Sequence, residues 1–116
     1  MPNFLINYSP NFSTQARNNK SIKFIVLHYT GMISENKAIN RLTDVNSKVS
    51  CHYFIKNNGD IIRIVPEKYI AWHAGKSKWK KLNSLNKYSI GIEIQNQGHN
   101  FKYSKFKEKQ ISSTIK

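Results

Sequence analysis

Cysteine occurs once, at Cys51, which excludes an internal disulfide and any zinc site built from several thiolates. Acidic residues are also scarce: 6 Asp and Glu stand against 19 Lys and Arg, for a formal net charge of +13. No apolar stretch approaches the roughly 20 residues that span a bilayer. Residues 1–19 lack the basic start and apolar run of a signal peptide, so the default compartment is the cytoplasm, with periplasm and cell wall left open. Internal repeats, heptads and low-complexity tracts are absent. So are a Gly-x-Ser-x-Gly elbow, a phosphate-binding glycine loop and a His-Glu-x-x-His pair, which sets aside the commonest serine hydrolase, nucleotide-binding and metalloprotease schemes.

What remains is one small domain of 116 residues, 39% apolar and 12% aromatic. The positive charge favours polyanionic partners. Only three of the basic residues are arginines, Arg17, Arg41 and Arg63, whereas nucleic-acid sites favour the bidentate arginine fork. A Lys-, Asn- and Ile-rich composition is also what an AT-rich genome produces, so nucleic acid is a disfavoured partner and another acidic polymer fits equally well.

Residues 1–21 are polar and turn-rich and read as an extended arm. Lys23 to His28 (KFIVLH) is an apolar run closed by histidine, expected to be a central strand covered on both sides. Ser34 can cap a helix with Glu35 in its first turn and an apolar stripe of Ala38, Ile39, Leu42 and Val45. Cys51 to Ile55 and Ile61 to Val65 flank Asn58-Gly59, a strong hairpin signal because both turn residues tolerate positive φ. Residues 66–88 read as loop, with Trp72 and Trp79. Ser89 to Gln95 alternates strictly, with Ile90, Ile92 and Ile94 on one face and Gly91 and Glu93 on the other. Phe106, Ile111 and Ile115 suggest a final helix from about Ser104, with no stop signal before Lys116. The expected fold class is mixed α/β, of the α+β kind: a central mixed sheet flanked by helices, the last helix and the C-terminal region missing.

Two residues could carry chemistry. His28 ends a buried strand, a rigid place from which to offer an imidazole to a metal; position alone favours a hydrogen-bonded structural histidine. Glu93 lies among isoleucines, where a buried carboxylate needs a partner or a raised pKa and could serve as a general base; an edge strand with Glu93 in solvent is the equal alternative. Gly91 would leave room beside it for a ligand. The Ala71-Trp72-His73-Ala74-Gly75 run suits a pocket wall for a sugar or peptide, or a loop tied down by its tryptophan. His52 reads as structural and His99 as exposed. Cys51 and His52, adjacent on a strand, point to opposite faces and cannot form a nucleophile–base pair.

Four segments in this order resemble the type 2 N-acetylmuramoyl-L-alanine amidases, a group sharing its fold with peptidoglycan recognition proteins. They are Ile25 to Thr30; Ser50 to Ile55 with Asn58-Gly59-Asp60; Ala71 to Gly75; and Asn86 through Ser89 to Ile94. The resemblance implies residues 1–21 as an arm and residues 22–116 as the N-terminal two-thirds of one amidase-like domain. It implies that His28 is the first of three zinc ligands, that Glu93 is the acid/base residue, and that Trp72 and His73 lie near the substrate groove, with Tyr29 compatible with it. The partner it implies is peptidoglycan or a soluble muropeptide; oligomeric state is left open. The family's other two ligands, a His and then an Asp or Cys, lie beyond the last segment seen here, so the chain as given is expected to be inactive alone. Rival expectations are a non-catalytic peptidoglycan-binding module and a basic nucleic-acid-binding protein.

Overall fold

A computed structural model of the chain describes residues 3–13, 17, 19–73, 78–79, 82–83 and 85–96. In chain order the strands are β1 (Phe4–Ile6), β2 (Phe12–Ser13), β3 (Phe24–Tyr29), β4 (Tyr53–Ile55), β5 (Ile61–Arg63), β6 (Ile70–Ala71), β7 (Lys78–Trp79), β8 (Leu82–Asn83) and β9 (Ser89–Ile94). One α-helix, α1 (Glu35–Thr43), follows β3, and single 3-10 turns occupy Asn19–Ser21 and Leu85–Tyr88. Five strands form a mixed sheet in the order β1-β5-β4-β9-β3. Only the β4–β5 hairpin is antiparallel; β1 runs parallel to β5, and β9 runs parallel to both β4 and β3. The expected mixed sheet with a covering helix is thus present, and β2–β6 and β7–β8 form two small antiparallel pairs.

The inner face packs against α1. Ala38 and Leu42 of the helix join Phe54, Ile62, Ile64, Val65, Cys51 and Ala71 in one buried cluster. Ser34 caps the helix, its hydroxyl accepting from the Lys37 amide at 3.2 Å. The Glu35 carboxylate accepts from the Asn57 amide at 3.0 Å and ties the helix to the hairpin. Val45 is not part of the apolar stripe: the backbone turns extended at Asp44, and Val45 lies exposed beyond the helix. Ile55, Ile61 and Ile94 form a second cluster on the outer face.

The hairpin forms where expected, but only Gly59 takes a positive φ, +90°. The Gly59 amide donates to the Lys56 carbonyl at 2.9 Å, closing a turn through Asn57 and Asn58 that the left-handed glycine completes.

β3 departs from its reading as a central strand. Among the described residues it lies at the edge of the sheet, and Ile25, Leu27 and Tyr29 are 68%, 56% and 45% exposed. Its apolar run half-buries one face and opens the other, because strand side chains alternate. β9, by contrast, is interior, between β4 and β3, which removes the alternative of an edge strand with Glu93 in solvent. Residues 66–88, read as loop, contain four short strand segments or turns: β6, β7, β8 and the 3-10 turn at Leu85–Tyr88.

The described residues of the N-terminal arm are built into the fold. β1 forms a sheet edge and β2 pairs with β6. Buried Asn11 donates to the Asp44 and Val49 carbonyls at 2.8 and 2.9 Å, and the Ser50 hydroxyl donates to the Asn11 carbonyl. The final helix expected from Ser104 lies outside the described residues.

Candidate functional site

The register of two parallel strands builds the site. Phe24, Val26 and His28 of β3 lie beside Ser89, Gly91 and Glu93 of β9. Strand alternation puts these side chains on the inner face, and Phe54 of β4, in register with Glu93, joins them. His28 and Glu93 are therefore immediate neighbours on one face. Tyr29 pairs with Ile94 and lies on the outer face, away from both.

The floor is a row of imidazoles. His28 Nε2 stands 3.2 Å from His73 Nδ1, with ring centroids 5.4 Å apart, and His73 Nε2 stands 3.0 Å from the Ser89 hydroxyl. The His73 ring lies against Gly91: a Cβ there would stand 2.5 Å from His73 Cγ. The space that Gly91 was expected to leave for a ligand is filled by this ring. The His73 amide donates to Asn86 Oδ1 at 3.2 Å, which holds the loop in place.

His52 ends the row, its ring centroid 6.2 Å from that of His73. Its Nδ1 accepts from the Gly91 amide at 3.1 Å, and its Nε2 faces the Tyr69 carbonyl at 2.9 Å. An amide donor at one nitrogen and a carbonyl at the other select the neutral Nε2–H tautomer. Arg17 Nη2 lies 3.0 Å from that same Nε2, while Arg17 donates to the Glu67 and Asn86 carbonyls, both at 3.0 Å. Burial lowers the His28 pKa. Burial first, eased by the Tyr69 carbonyl and reinforced by Arg17, brings His52 to about 4. His73 falls to about 3 through burial, then through His28, His52 and Arg17. All three rings are neutral near pH 7.

Glu93 moves the other way. Burial raises its carboxyl from 4.5 to about 7, with Arg41 pulling it down. It opens on a small cavity shared with Thr30, Met32, Ala38, Arg41 and Leu42. A carboxyl that titrates near neutrality can take and return a proton at physiological pH. Cys51 has no part in this: it is buried, burial raises its pKa well above its usual value, and its thiol points to the Tyr53 carbonyl at 3.2 Å.

Trp72 is half-buried and tied in place. Its indole donates to the Ser13 hydroxyl at 3.1 Å, and its amide donates to the Ser50 hydroxyl at 3.0 Å. His28, His73 and Glu93 thus converge, Trp72 adjoins them through the chain, and Tyr29 stands apart. His99 lies outside the described residues.

Three residues of the site escaped the sequence reading. Ser89 was legible, since it shares the two-residue phase of Gly91 and Glu93. Arg41 lies three residues after Ala38, exposed at the flank of the helix face that carries Ala38 and Leu42. Arg17 had no local signal. For a metal, the fit is incomplete: His28 turns Nε2 toward His73, and among the described residues no three His, Cys, Asp or Glu side chains are grouped to hold an ion. The described residues do not make a zinc site by themselves.

Glu93, a carboxyl brought by burial to about 7, thus lies in register with His28 and opens on a small cavity beside α1. The chain belongs to the N-acetylmuramoyl-L-alanine amidase family, whose model matches residues 18–116. It is 42% identical over 84 residues to the N-acetylmuramoyl-L-alanine amidase AmiD of Escherichia coli, an alignment covering 66% of this chain and 29% of that protein. The crystal structure of AmpDh3 from Pseudomonas aeruginosa superposes with a TM-score of 0.74 at 30% identity, covering 90% of this chain and 46% of that one. The structure of E. coli AmiD in complex with the substrate anhydro-N-acetylmuramic acid-L-Ala-D-γ-Glu-L-Lys superposes with a TM-score of 0.70 at 36% identity, covering 82% of this chain and 40% of that one. The chain therefore spans 29% of the AmiD sequence it matches and under half of either solved chain.

Proposed function

We propose that this chain carries the acid/base part of an N-acetylmuramoyl-L-alanine amidase site, acting on the lactyl amide between N-acetylmuramic acid and L-alanine in peptidoglycan or its soluble fragments. The observation that carries the reading is Glu93: a carboxyl brought by burial to about 7, in register with His28 on the face that packs against the His73 loop. In this reading Glu93 accepts a proton from the water whose oxygen adds to the amide carbonyl. The carbon–nitrogen bond then breaks, and Glu93 returns the proton to the leaving L-alanine amine. The neutral imidazoles of His28 and His73 are paired with each other and bring no competing charge.

Trp72 and His73 form the wall on which the sugar or peptide rests. Tyr29, on the outer face, reaches the substrate only around the end of β3. Zinc dependence enters through the family likeness: His28 is the imidazole this reading offers to the metal. The described residues do not complete a ligand set, and the proton transfers above belong to Glu93. The relative's substrate, an anhydromuramyl peptide, is the compound of choice for assay.

The test is release of an L-alanyl peptide from that compound, followed by mass spectrometry, with zinc and with chelator. Supplied with the family's remaining metal ligands the domain is expected to cleave it, and Glu93→Gln to reduce that cleavage at least a hundredfold, the usual size of a general acid–base contribution, whereas the 116 residues alone are expected to be inactive. Retention on murein without cleavage under either condition would replace the amidase by a binding module.

A further inference from the structure

The cavity beside Glu93 contains a cation that the chemistry above leaves unused. Its wall is apolar: Met32, Ala38 and Leu42. The Thr30 hydroxyl is already committed, facing the Asn96 carbonyl and Gln95 Oε1 at 2.9 and 3.0 Å and accepting from the Met32 amide at 3.3 Å. That leaves Glu93 and Arg41 as the groups able to meet a bound molecule. Arg41 is exposed, and among the described residues no acceptor bonds its guanidinium. It acts on Glu93 through space.

Its mounting is rigid. α1 is capped by Ser34, tied by Glu35 to the hairpin, and anchored by buried Ala38 and Leu42, which precede and follow Arg41 on the helix. A cation on a fixed helix at the mouth of the cavity is a selective device rather than a swinging arm.

We propose that Arg41 is a specificity-determining residue that binds a free carboxylate on the peptide side of the scissile amide. This rests on the amidase reading above. Arg41 and Glu93 line the same cavity, so with the lactyl amide over Glu93 a peptide running outward past α1 brings its second residue to Arg41. In a peptide of the kind bound by the AmiD relative, the second residue is D-Glu joined through its γ-carboxyl. That linkage leaves the α-carboxylate free, roughly 7 Å along the chain from the scissile amide at about 3.5 Å per residue. A guanidinium fork matches such a carboxylate in bidentate fashion. It also offsets the repulsion between that carboxylate and ionised Glu93.

The test is calorimetric titration of the protein with anhydro-N-acetylmuramic acid-L-Ala-D-γ-Glu-L-Lys and with the same compound carrying an α-carboxamide on the D-Glu. Wild type is expected to bind the carboxylate form about tenfold more tightly, the scale of one charge-assisted pair at a partly exposed site. Arg41→Gln, at an exposed helical position that glutamine suits, should bind both compounds alike and weakly. Arg41→Lys should recover part of the preference. Equal binding of the two compounds by wild type, or an equal loss for both in Arg41→Gln, overturns the assignment and leaves the amidase reading standing. Binding of neither by wild type overturns both.

Discussion

Glu93 should make the native protein less stable as pH rises through neutrality. Its carboxyl titrates at about 7 in the folded chain and at 4.5 when free. Between those values the unfolded chain gives up this proton and the native chain keeps it. Native stability therefore falls across pH 4.5 to 7 and is level on either side. Each pKa unit corresponds to about 1.4 kcal/mol, so the whole fall is about 2 to 3 kcal/mol once partial solvent access is allowed for. Glutamine at this position is nearly isosteric and never ionises. Glu93→Gln should match wild type at pH 4 and exceed it by that amount at pH 8, a rise of roughly ten degrees in Tm for a domain of this size. The assay is urea unfolding of both proteins from pH 4 to pH 8 in chelator, followed by tryptophan fluorescence. Every other titrating group cancels in the difference between the two curves. A difference that is constant with pH, or that grows toward acid, would refute burial as the cause of the raised pKa. The same substitution should reduce cleavage, so stability gained where activity is lost would mark residue 93 as kept for chemistry.

The imidazole row has the opposite sign. His52 and His73, brought to about 4 and about 3, stay neutral in the fold while the unfolded chain charges them below 6.5, so stability falls with pH from 6.5 toward those values. At pH 5, unfolding of the Glu93→Gln protein should take up close to two protons from these rings, with a smaller share from His28; calorimetry in buffers of different ionisation enthalpy measures this, and uptake near zero refutes it. Gly91→Ala should expel the His73 ring, whose Cγ a Cβ would meet at 2.5 Å, and cost about 1–3 kcal/mol. NMR should then find His73 titrating near its ordinary range; an unchanged titration with unchanged stability would show that the ring is not held by the glycine.

Local periodicity made the floor of the site legible. In Ser89 to Ile94 a two-residue alternation separates glycine and glutamate from three isoleucines, and the sheet keeps that separation. Ser34 and Asn58-Gly59 marked a helix start and a hairpin for equally local reasons. What could not be read was long-range. Nothing within Lys23 to His28 tells an edge strand from an interior one, because strand order is fixed by pairings with residues more than sixty positions away. The same holds for Arg17, whose contacts lie on residues 52, 67 and 86. Tyr29 is a different case: the resemblance makes it compatible with the groove beside Trp72 and His73, yet on a strand its adjacency to His28 sends the two to opposite faces.

The arm also bears on where this domain begins. Similarity to the family starts at residue 18, but Phe4–Ile6 supplies an edge to the sheet and Asn11 holds the carbonyls of Asp44 and Val49. Trimming a recombinant fragment to the matched boundary would strip the outermost strand from β5 and take the Asn11 donor from the Val49 carbonyl. It would also remove Arg17 from the Glu67 and Asn86 carbonyls. The structural unit begins before the first residue that the family model matches, and expression of a well-behaved protein has to respect it.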